Sequence, residues 1–312
     1  MSCSERNPSS TLSQRLLDLS QEDKRKFLDS FDYVLTDCDG VVWNLYGPIE
    51  GTGQAIGALK AAGKRVVYVS NNSVRPLENY QEQIRKLGHE VTEEDLVHPA
   101  VSIVRYLKSI DFNGLIYAIG SNAFLKTLRD AGYEVLSGPD EPQPESLQVV
   151  IPVIHDKKPV KAVIVDYDFN CSHIKLLRAE MYLKCDQECL LIGGATDYRV
   201  VFTPTYTSIG TGYYTEILER SVGRKAVTLG KPGTHLVQQL KEYYGIEQDK
   251  RVLFVGDMIA HDVAFGKVAG FQTLLVLTGG SSKAELDALG DGDNVPDYYT
   301  ESFADLEKVF KE

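Results

Sequence analysis

The feature that most constrains the fold is the alternation of short apolar runs with amphipathic segments of helical period. The apolar runs are rich in β-branched residues and are flanked by glycine or polar residues, which favours strands. Alternation of this kind predicts an α/β protein with a doubly wound parallel sheet covered by helices. The predicted strands are Tyr33–Thr36, Arg65–Val69, Leu115–Ile119, Ala162–Val165, Cys189–Ile192, Ala226–Leu229, Val252–Val255 and Thr273–Leu277.

The length of the chain and one loop indicate how it divides. A chain of 312 residues with 43% hydrophobic residues exceeds most single domains. The acidic, proline-rich stretch Ser137–Ser146 reads as a surface loop inside the middle third. We therefore expect an inserted lobe over residues 101–205, with residues 1–100 and 206–312 forming one core. A long helix is also predicted over Thr11–Ser30.

Composition excludes several classes of partner. The net charge of −11 and the lack of a basic block argue against nucleic-acid binding. The sequence has no run of 18 apolar residues, and its first ten residues lack the cationic and apolar regions of an export signal, so we expect no membrane association. Five cysteines without zinc-ligand or secretory spacing fit a reducing compartment, and a cytoplasmic location is expected.

Polar residues follow four of the predicted strands. In a doubly wound sheet, ligands bind in the crevice outside the carboxyl ends of the strands, so all four groups are expected to face one crevice. The groups are Asp37 with Asp39, Ser70-Asn71-Asn72-Ser73, Lys231 before Pro232, and Asp257 with Asp262.

The paired carboxylates predict a metal-dependent reaction at phosphorus. Asp37 and Asp39 end an apolar run, and buried carboxylates need a neutralising cation. Mg²⁺ prefers oxygen ligands, and we expect Asp37 and Asp257 to hold it. A carboxylate can attack phosphorus and form an aspartyl-phosphate, which gives Asp37 the role of nucleophile. Asp39, two residues further on, is placed to act as general acid and base.

The other two groups supply donors for a phosphoryl group. Lys231 would neutralise the phosphoryl oxygens, and Ser70 with the backbone N–H of Asn71 would donate to one of them. Asn72 belongs to the same small polar run and is included among the expected phosphate-binding residues.

Taken in order, the motifs resemble those of the haloacid dehalogenase superfamily. They are D-x-D-G-V-x-W at Asp37, S-N-N-S at Ser70, G-K-P around Lys231 and G-D-x-x-x-x-D at Asp257. The match is closest to the branch of p-nitrophenylphosphate, phosphoglycolate and pyridoxal-phosphate phosphatases, which have a Rossmann-like core with a large α/β cap inserted between the second and third motifs.

The resemblance implies a role for each of these residues. Asp37 would be the nucleophile and Asp39 the acid and base. Asp37, the backbone carbonyl of Asp39 and Asp257 would ligate Mg²⁺, with Asp262 supporting the site. Ser70, Asn71 and Lys231 would bind phosphate. The substrate would be a small phosphorylated metabolite, and homodimers formed through the cap are common in the family.

The chain also departs from the family pattern. Met258 replaces the usual arginine, His261 follows Ala260 where an acidic residue and threonine are usual, and Gly194-Ala195-Thr196-Asp197 keeps only the aspartate of a cap-loop motif. These departures leave open a catalytically weak paralogue that binds a phosphorylated ligand or a partner protein. Cys38, between the two key aspartates, is expected to be a buried, inert thiol, because neighbouring carboxylates raise the pKa of a thiol.

Overall fold

We describe a computed structural model of the protein, which covers residues 13–203 and 206–311. The residues up to 12, on which the expectation of no export signal rests, lie outside it. The chain forms two compact units. Of the described residues, the first unit contains 13–44, 49–66 and 248–311, and the second contains 45–48, 67–203 and 206–247.

Helices and strands alternate along most of the chain, as the apolar pattern predicts. The strands are β1 (Gln14–Arg15), β2 (Tyr33–Thr36), β3 (Trp43–Asn44), β4 (Gly47–Pro48), β5 (Arg65–Val69), β6 (Leu96–Val97), β7 (Leu115–Ile119), β8 (Val135–Leu136), β9 (Val160–Val165), β10 (Leu190–Gly193), β11 (Arg199–Thr203), β12 (Tyr206–Ile209), β13 (Val227–Thr228), β14 (Val252–Gly256), β15 (Gln272–Val276) and β16 (Tyr298–Thr300). The helices are α1 (Gln21–Asp29), α2 (Thr52–Ala61), α3 (Leu77–Lys86), α4 (Pro99–Ser109), α5 (Asn122–Asp130), α6 (Leu147–Ile154), α7 (His173–Cys185), α8 (Gly212–Val222), α9 (Thr234–Tyr244), α10 (Ala264–Ala269), α11 (Lys283–Asp287) and α12 (Asp305–Lys311).

A parallel sheet forms the centre of the first unit. Its strands lie in the order β1-β16-β15-β14-β2. Strand β14 pairs with β2 on one side and with β15 on the other, and both pairings are parallel. All five residues of β14 are buried, as expected for a strand that is covered on both faces. The carboxyl ends of β2 and β14 therefore lie side by side.

A second parallel sheet lies in the second unit, with the strand order β13-β10-β9-β7-β8. Buried apolar residues pack on both of its faces, in one cluster that contains Ile116 and Ile164 and another that contains Tyr117 and Val163. Neighbouring residues of one strand thus face opposite sides, as strand geometry requires. In the same unit, β5 pairs with β6 through Tyr68 and Val69.

The predicted strands are confirmed, three of them with the predicted bounds and the other five with ends that differ by one or two residues. The predicted helix over Thr11–Ser30 is wrong in extent, and its first two residues lie outside the described part of the chain. Helix α1 begins only after Ser20, because the Ser20 side chain accepts a hydrogen bond from the backbone N–H of Asp23 and caps the helix there. Within residues 13–203 and 206–311, no helix has the length and apolar character needed to cross a membrane.

Candidate active site

The first polar group lies in a tight loop at the end of β2. The backbone N–H of Asp37 donates to the carbonyl of Val255 over 2.8 Å, which continues the pairing with β14 by one residue. Beyond it the chain turns, since the carbonyl of Cys38 accepts from the backbone N–H of Val42 over 2.9 Å. Gly40 has a φ of +83°, a conformation that glycine adopts without strain. Asp37 is thereby held at the strand end by the backbone on both sides.

Three carboxylates of the first unit converge at this strand end. Asp37, Asp257 and Asp262 each place one oxygen within 4.8 Å of the other two. Asp257 and Asp262 are buried, and Asp37 is half-buried. Charges that close together repel by about 3 kcal/mol at an effective dielectric constant of about 20. A hard divalent cation relieves this repulsion, and an oxygen-only donor set is the kind that Mg²⁺ prefers, so these residues fit a metal ion.

Asp262 orients the loop that follows β14 through hydrogen bonds to its backbone. Its Oδ2 accepts from the backbone N–H of Asp257 over 3.1 Å and from that of Met258 over 3.0 Å. A Cβ at Gly256 would collide with the Asp262 side chain, which explains why glycine precedes Asp257. Asp262 lies in a π-helical turn over Ile259–Val263, a widened geometry often found at functional sites. These contacts fix the loop that carries Asp257 and place Asp262 close to the other two carboxylates.

A loop that we did not single out from the sequence also holds Asp257. Thr278–Ser281 follows β15, and its Gly280 N–H donates to Asp257 Oδ2 over 2.5 Å. The Thr278 hydroxyl donates to the carbonyl of Gly40 over 2.5 Å, which ties the loop to the turn beyond Asp37. The signal was present as a run of threonine, glycines and serines directly after a predicted strand.

Asp39 points to the only tryptophan of the chain. The indole N–H of Trp43 donates to Asp39 Oδ1 over 3.0 Å. Asp39 is half-buried, whereas Trp43 and Cys38 are buried. This hydrogen bond fixes one oxygen of the Asp39 carboxyl. The Cys38 thiol, as expected, lies inside the first unit.

In the second unit, Asn71 and Lys231 are joined directly. The Asn71 side-chain oxygen accepts from the backbone N–H of Lys231 over 2.8 Å, and its amide donates to the Lys231 carbonyl over 3.0 Å. The same amide donates to Asp197 Oδ2 over 2.8 Å. Lys231 is almost completely buried, with 1% of its surface exposed. The structure therefore brings two predicted phosphate-binding residues together and adds Asp197 to them.

Tyr80, which we did not predict to be part of the site, contacts Ser70 and Asn72. The Tyr80 hydroxyl donates to the Asn72 carbonyl over 2.5 Å and lies 3.0 Å from Ser70 Oγ. The Asn72 side-chain oxygen accepts from the backbone N–H of Val74 over 3.1 Å, so Asn72 shapes the loop that it belongs to. The expectation that the carboxylates and these residues meet in one crevice stays a prediction.

Comparisons with known proteins place the chain in a family. Residues 34–134 match the model of the haloacid dehalogenase-like hydrolases, and residues 228–306 match a HAD-hydrolase-like model. Phosphoglycolate phosphatase 2 of Arabidopsis thaliana is 32% identical over 297 residues, which cover 94% of this chain and 98% of the relative. Glycerol-3-phosphate phosphatase of Gallus gallus is 34% identical over 300 residues, which cover 92% and 95%.

The same assignment follows from solved structures. A p-nitrophenyl phosphatase from Archaeoglobus fulgidus superposes with a TM-score of 0.75 at 26% identity, covering 89% of this chain and 99% of that one. The sequence resemblance, the parallel-sheet fold and the similarity over nearly whole chains agree. The chain belongs to the haloacid dehalogenase-like hydrolases and is a phosphatase of that family.

Proposed function

We propose that this phosphatase is Mg²⁺-dependent and hydrolyses small phosphomonoesters through an aspartyl-phosphate on Asp37. The observation that carries the proposal is the convergence of Asp37, Asp257 and Asp262 within 4.8 Å at the end of β2. Asp257 is held by the backbone N–H of Gly280, and Asp262 accepts hydrogen bonds from the backbone of its own loop. Asp37 is half-buried directly after β2, the position at which the family resemblance places the nucleophile, and this placement supports its role.

The reaction has two displacements. An oxygen of Asp37 bonds to phosphorus while the bond to the ester oxygen breaks, and Asp39 gives its proton to that departing oxygen. Asp39 then takes a proton from water, whose oxygen bonds to phosphorus and releases Asp37 and inorganic phosphate. The hydrogen bond from Trp43 to Asp39 Oδ1 supports this role, because it holds the carboxyl in one orientation.

The remaining residues would bind the charged oxygens of the phosphoryl group. Lys231, Ser70 and the backbone of Asn71 would bind its oxygens, with Asn72 shaping their loop. Asp37, Asp257 and the carbonyl of Asp39 would hold Mg²⁺, which supplies positive charge to the phosphoryl oxygens when bound. The burial of Lys231 supports its role, because the attraction between an ammonium group and a phosphoryl oxygen is stronger away from water.

The substrate class follows from the relatives. Phosphoglycolate, glycerol-3-phosphate and p-nitrophenyl phosphate, named in those relatives, are all small phosphomonoesters. We infer that this chain acts on a substrate of that size, with 2-phosphoglycolate, p-nitrophenyl phosphate and pyridoxal phosphate as the first candidates. Residues 101–205 would serve as the cap that selects the leaving group. A cytoplasmic setting is the expected location.

A phosphate-release screen tests the proposal. Purified protein with Mg²⁺ is incubated with 2-phosphoglycolate, glycerol-3-phosphate, pyridoxal phosphate, p-nitrophenyl phosphate, sugar phosphates and nucleotides, and Asp37→Asn serves as the control. We expect turnover of a small phosphomonoester by the wild type and none by the variant. Thermal stabilisation by a phosphorylated ligand without any turnover would instead favour the binding paralogue.

We also propose a homodimer formed through residues 101–205. Helix α6 in this segment is almost entirely apolar, yet none of its residues is buried. Leu147 is 76% exposed and Ile151 is 53% exposed, which supports a contact with a second copy. Light scattering should give twice the chain mass for the wild type and a single chain mass for Ile151→Lys.

A further inference from the structure

Asp166 is a buried carboxyl at the end of β9, in the second unit, and it has no role in the proposed reaction. It is completely buried. The Ser73 hydroxyl donates to its Oδ2 over 2.6 Å, and the backbone N–H of Tyr167 donates to its Oδ1 over 2.6 Å. A third hydrogen bond comes from the backbone of Ala195. Asp166 therefore joins the loop that follows β5 to the loop that follows β10.

These two loops carry the proposed phosphate-binding residues or their direct neighbours. Ser73 lies two residues beyond Asn71, and Ala195 lies two residues before Asp197. The amide of Asn71 donates to Asp197 over 2.8 Å. The hydrogen bonds thus close a ring that runs along one loop, across Asp166, along the other loop and back through Asn71.

Lys231 is attached to the same ring on two sides. Its backbone N–H and carbonyl bind the Asn71 side chain, and its carbonyl also accepts from the Thr196 hydroxyl over 2.8 Å. Thr196 lies between Ala195 and Asp197. A shift of the loop after β10 would therefore move the backbone of Lys231 as well as the partner of Asn71.

The ring has little room to adjust. A Cβ at Gly194 would lie 2.7 Å from Asp166 Oδ2, and one at Gly230 would lie 2.5 Å from the carbonyl oxygen of Gly194. The Thr211 hydroxyl donates to the Ala195 carbonyl over 2.5 Å, which holds the loop from its other side. Backbone packed this closely transmits a displacement instead of absorbing it.

We propose that Asp166 is a positioning residue that fixes Asn71 and Lys231 for phosphate binding by tying the loop after β5 to the loop after β10. The proposal rests on the proposed function, because it takes Asn71 and Lys231 as phosphate-binding residues. Asp166 itself touches neither substrate nor reacting atoms. Its effect on phosphate passes through Ser73 on one side and through Ala195 on the other.

The ionisation of Asp166 offers a readout that a merely structural residue lacks. Burial, with a smaller contribution from the negative charge of Asp197, raises the pKa of Asp166 to about 7, although the hydrogen bonds from Ser73, Tyr167 and Ala195 oppose the rise. Nearby, Asp168 is paired with the buried Lys175, which also binds Asp140. Protonation turns one acceptor oxygen of Asp166 into a donor, and the backbone N–H groups cannot reorient to compensate.

The test measures the binding of sulfate, a phosphate mimic that stays a dianion from pH 5.5 to pH 8.5. Isothermal titration with Mg²⁺ present compares the wild type with Asp166→Asn and Ser73→Ala, and Asp168→Asn is the matched control two residues along the same loop. Circular dichroism checks that each variant is folded. At pH 8.5 we expect Kd to rise about tenfold in Asp166→Asn and in Ser73→Ala, as for one lost hydrogen bond to a charged group. The control should change Kd less than twofold.

The pH profile separates positioning from general damage. At pH 5.5 the wild-type Asp166 is protonated, so the ratio of the Kd values of Asp166→Asn and the wild type should approach one, with a midpoint near pH 7. The proposal is overturned by equal Kd values at pH 8.5 or by a ratio that does not change with pH. If Asp166→Asn does not fold, an unchanged Kd in Ser73→Ala overturns it. Sulfate binding does not depend on turnover, so the two proposals can fail separately. Activity retained by Asp37→Asn would refute only the assignment of Asp37 as nucleophile. Absence of sulfate binding by the wild type would refute both the phosphate site and the positioning role of Asp166.

Discussion

The backbone N–H of Gly280 donates to Oδ2 of Asp257 over 2.5 Å, so a loop that follows one strand holds a carboxylate that follows its neighbour. This places one oxygen of Asp257 before any cation arrives. A preorganised ligand loses less entropy on binding than a mobile one. The loop Thr278–Ser281 therefore belongs to the site, although none of its side chains is a candidate ligand.

Gly279→Ala should damage the site without unfolding the protein. A Cβ at this position would collide with the Asp257 carboxylate, which must then move. Displacement of a reacting group by about 1 Å can cost about 100-fold in rate, and we expect a loss of that order in kcat/KM together with weaker activation by Mg²⁺. Gly292→Ala, where the nearest atom is the Leu289 carbonyl oxygen at 3.1 Å, is the control. Wild-type Mg²⁺ activation in Gly279→Ala would contradict the expectation.

Asp37→Asn should be more stable than the wild type when metal is absent. The substitution removes one of three carboxylates that lie within 4.8 Å of one another, and thus part of a repulsion of about 3 kcal/mol. Urea unfolding in EDTA should show a higher midpoint for the variant. Added Mg²⁺ should stabilise the wild type more than Asp37→Asn. An equal response of both proteins to Mg²⁺ would mean that Asp37 is not a ligand.

Tyr80→Phe should weaken phosphate binding. Tyr80 is completely buried, and its hydroxyl donates to the Asn72 carbonyl and contacts Ser70 Oγ. Loss of a buried hydrogen bond costs about 1–3 kcal/mol, so we expect a comparable loss of stability and a KM that rises severalfold. Steady-state kinetics and urea unfolding measure the two effects. Tyr243→Phe, at a residue that is 45% exposed, should change neither quantity.

His98 should make the protein sensitive to acid. Burial, together with the positive charge of Arg105, lowers the pKa of His98 to about 4 from its ordinary 6.5. The unfolded chain therefore takes up a proton below about pH 6.5 that the folded chain does not take up until about pH 4. The resulting stability is present above pH 6.5 and is lost as the pH falls towards 4, by an amount on the order of 3 kcal/mol.

Urea unfolding between pH 4 and pH 7.5 checks this dependence. In His98→Phe, which keeps an aromatic ring stacked on Tyr80, the pH dependence should be flatter than in the wild type. His155→Gln, at an exposed position, should follow the wild-type curve. Parallel curves for His98→Phe and the wild type would show that His98 is not the group responsible.

The strands and the carboxylate cluster could be predicted because their signals are local. The end of an apolar run marks the end of a strand, and parallel neighbours such as β2 and β14 have their carboxyl ends side by side. The proximity of Asp37 and Asp257 can therefore be predicted from the pattern alone. The same pattern, an apolar run followed by two aspartates, recurs at Asp166 and Asp168. We did not assign a function to these two aspartates from the sequence.

The remaining contacts depend on packing between distant segments. Asn71 and Asp197 are 126 residues apart, and only the folded second unit brings the amide to the carboxylate. Tyr80 reads as one apolar position of an amphipathic helix, since nothing in the helical period reveals where its hydroxyl points. Helix α6 was not predicted from the sequence, because Pro152 interrupts its short apolar run and proline usually ends a helix. None of the residues of this helix is buried.

The hydrogen bond between Trp43 and Asp39 makes the site visible to fluorescence. The chain contains one tryptophan, so its whole indole emission comes from a side chain whose N–H is bound to the proposed proton carrier. Any event that changes the charge or position of Asp39 should shift this emission without a label. Titrating the protein with Mg²⁺ or a phosphate analogue in a fluorimeter would then follow the state of the site directly, in intact protein and before any substrate is known.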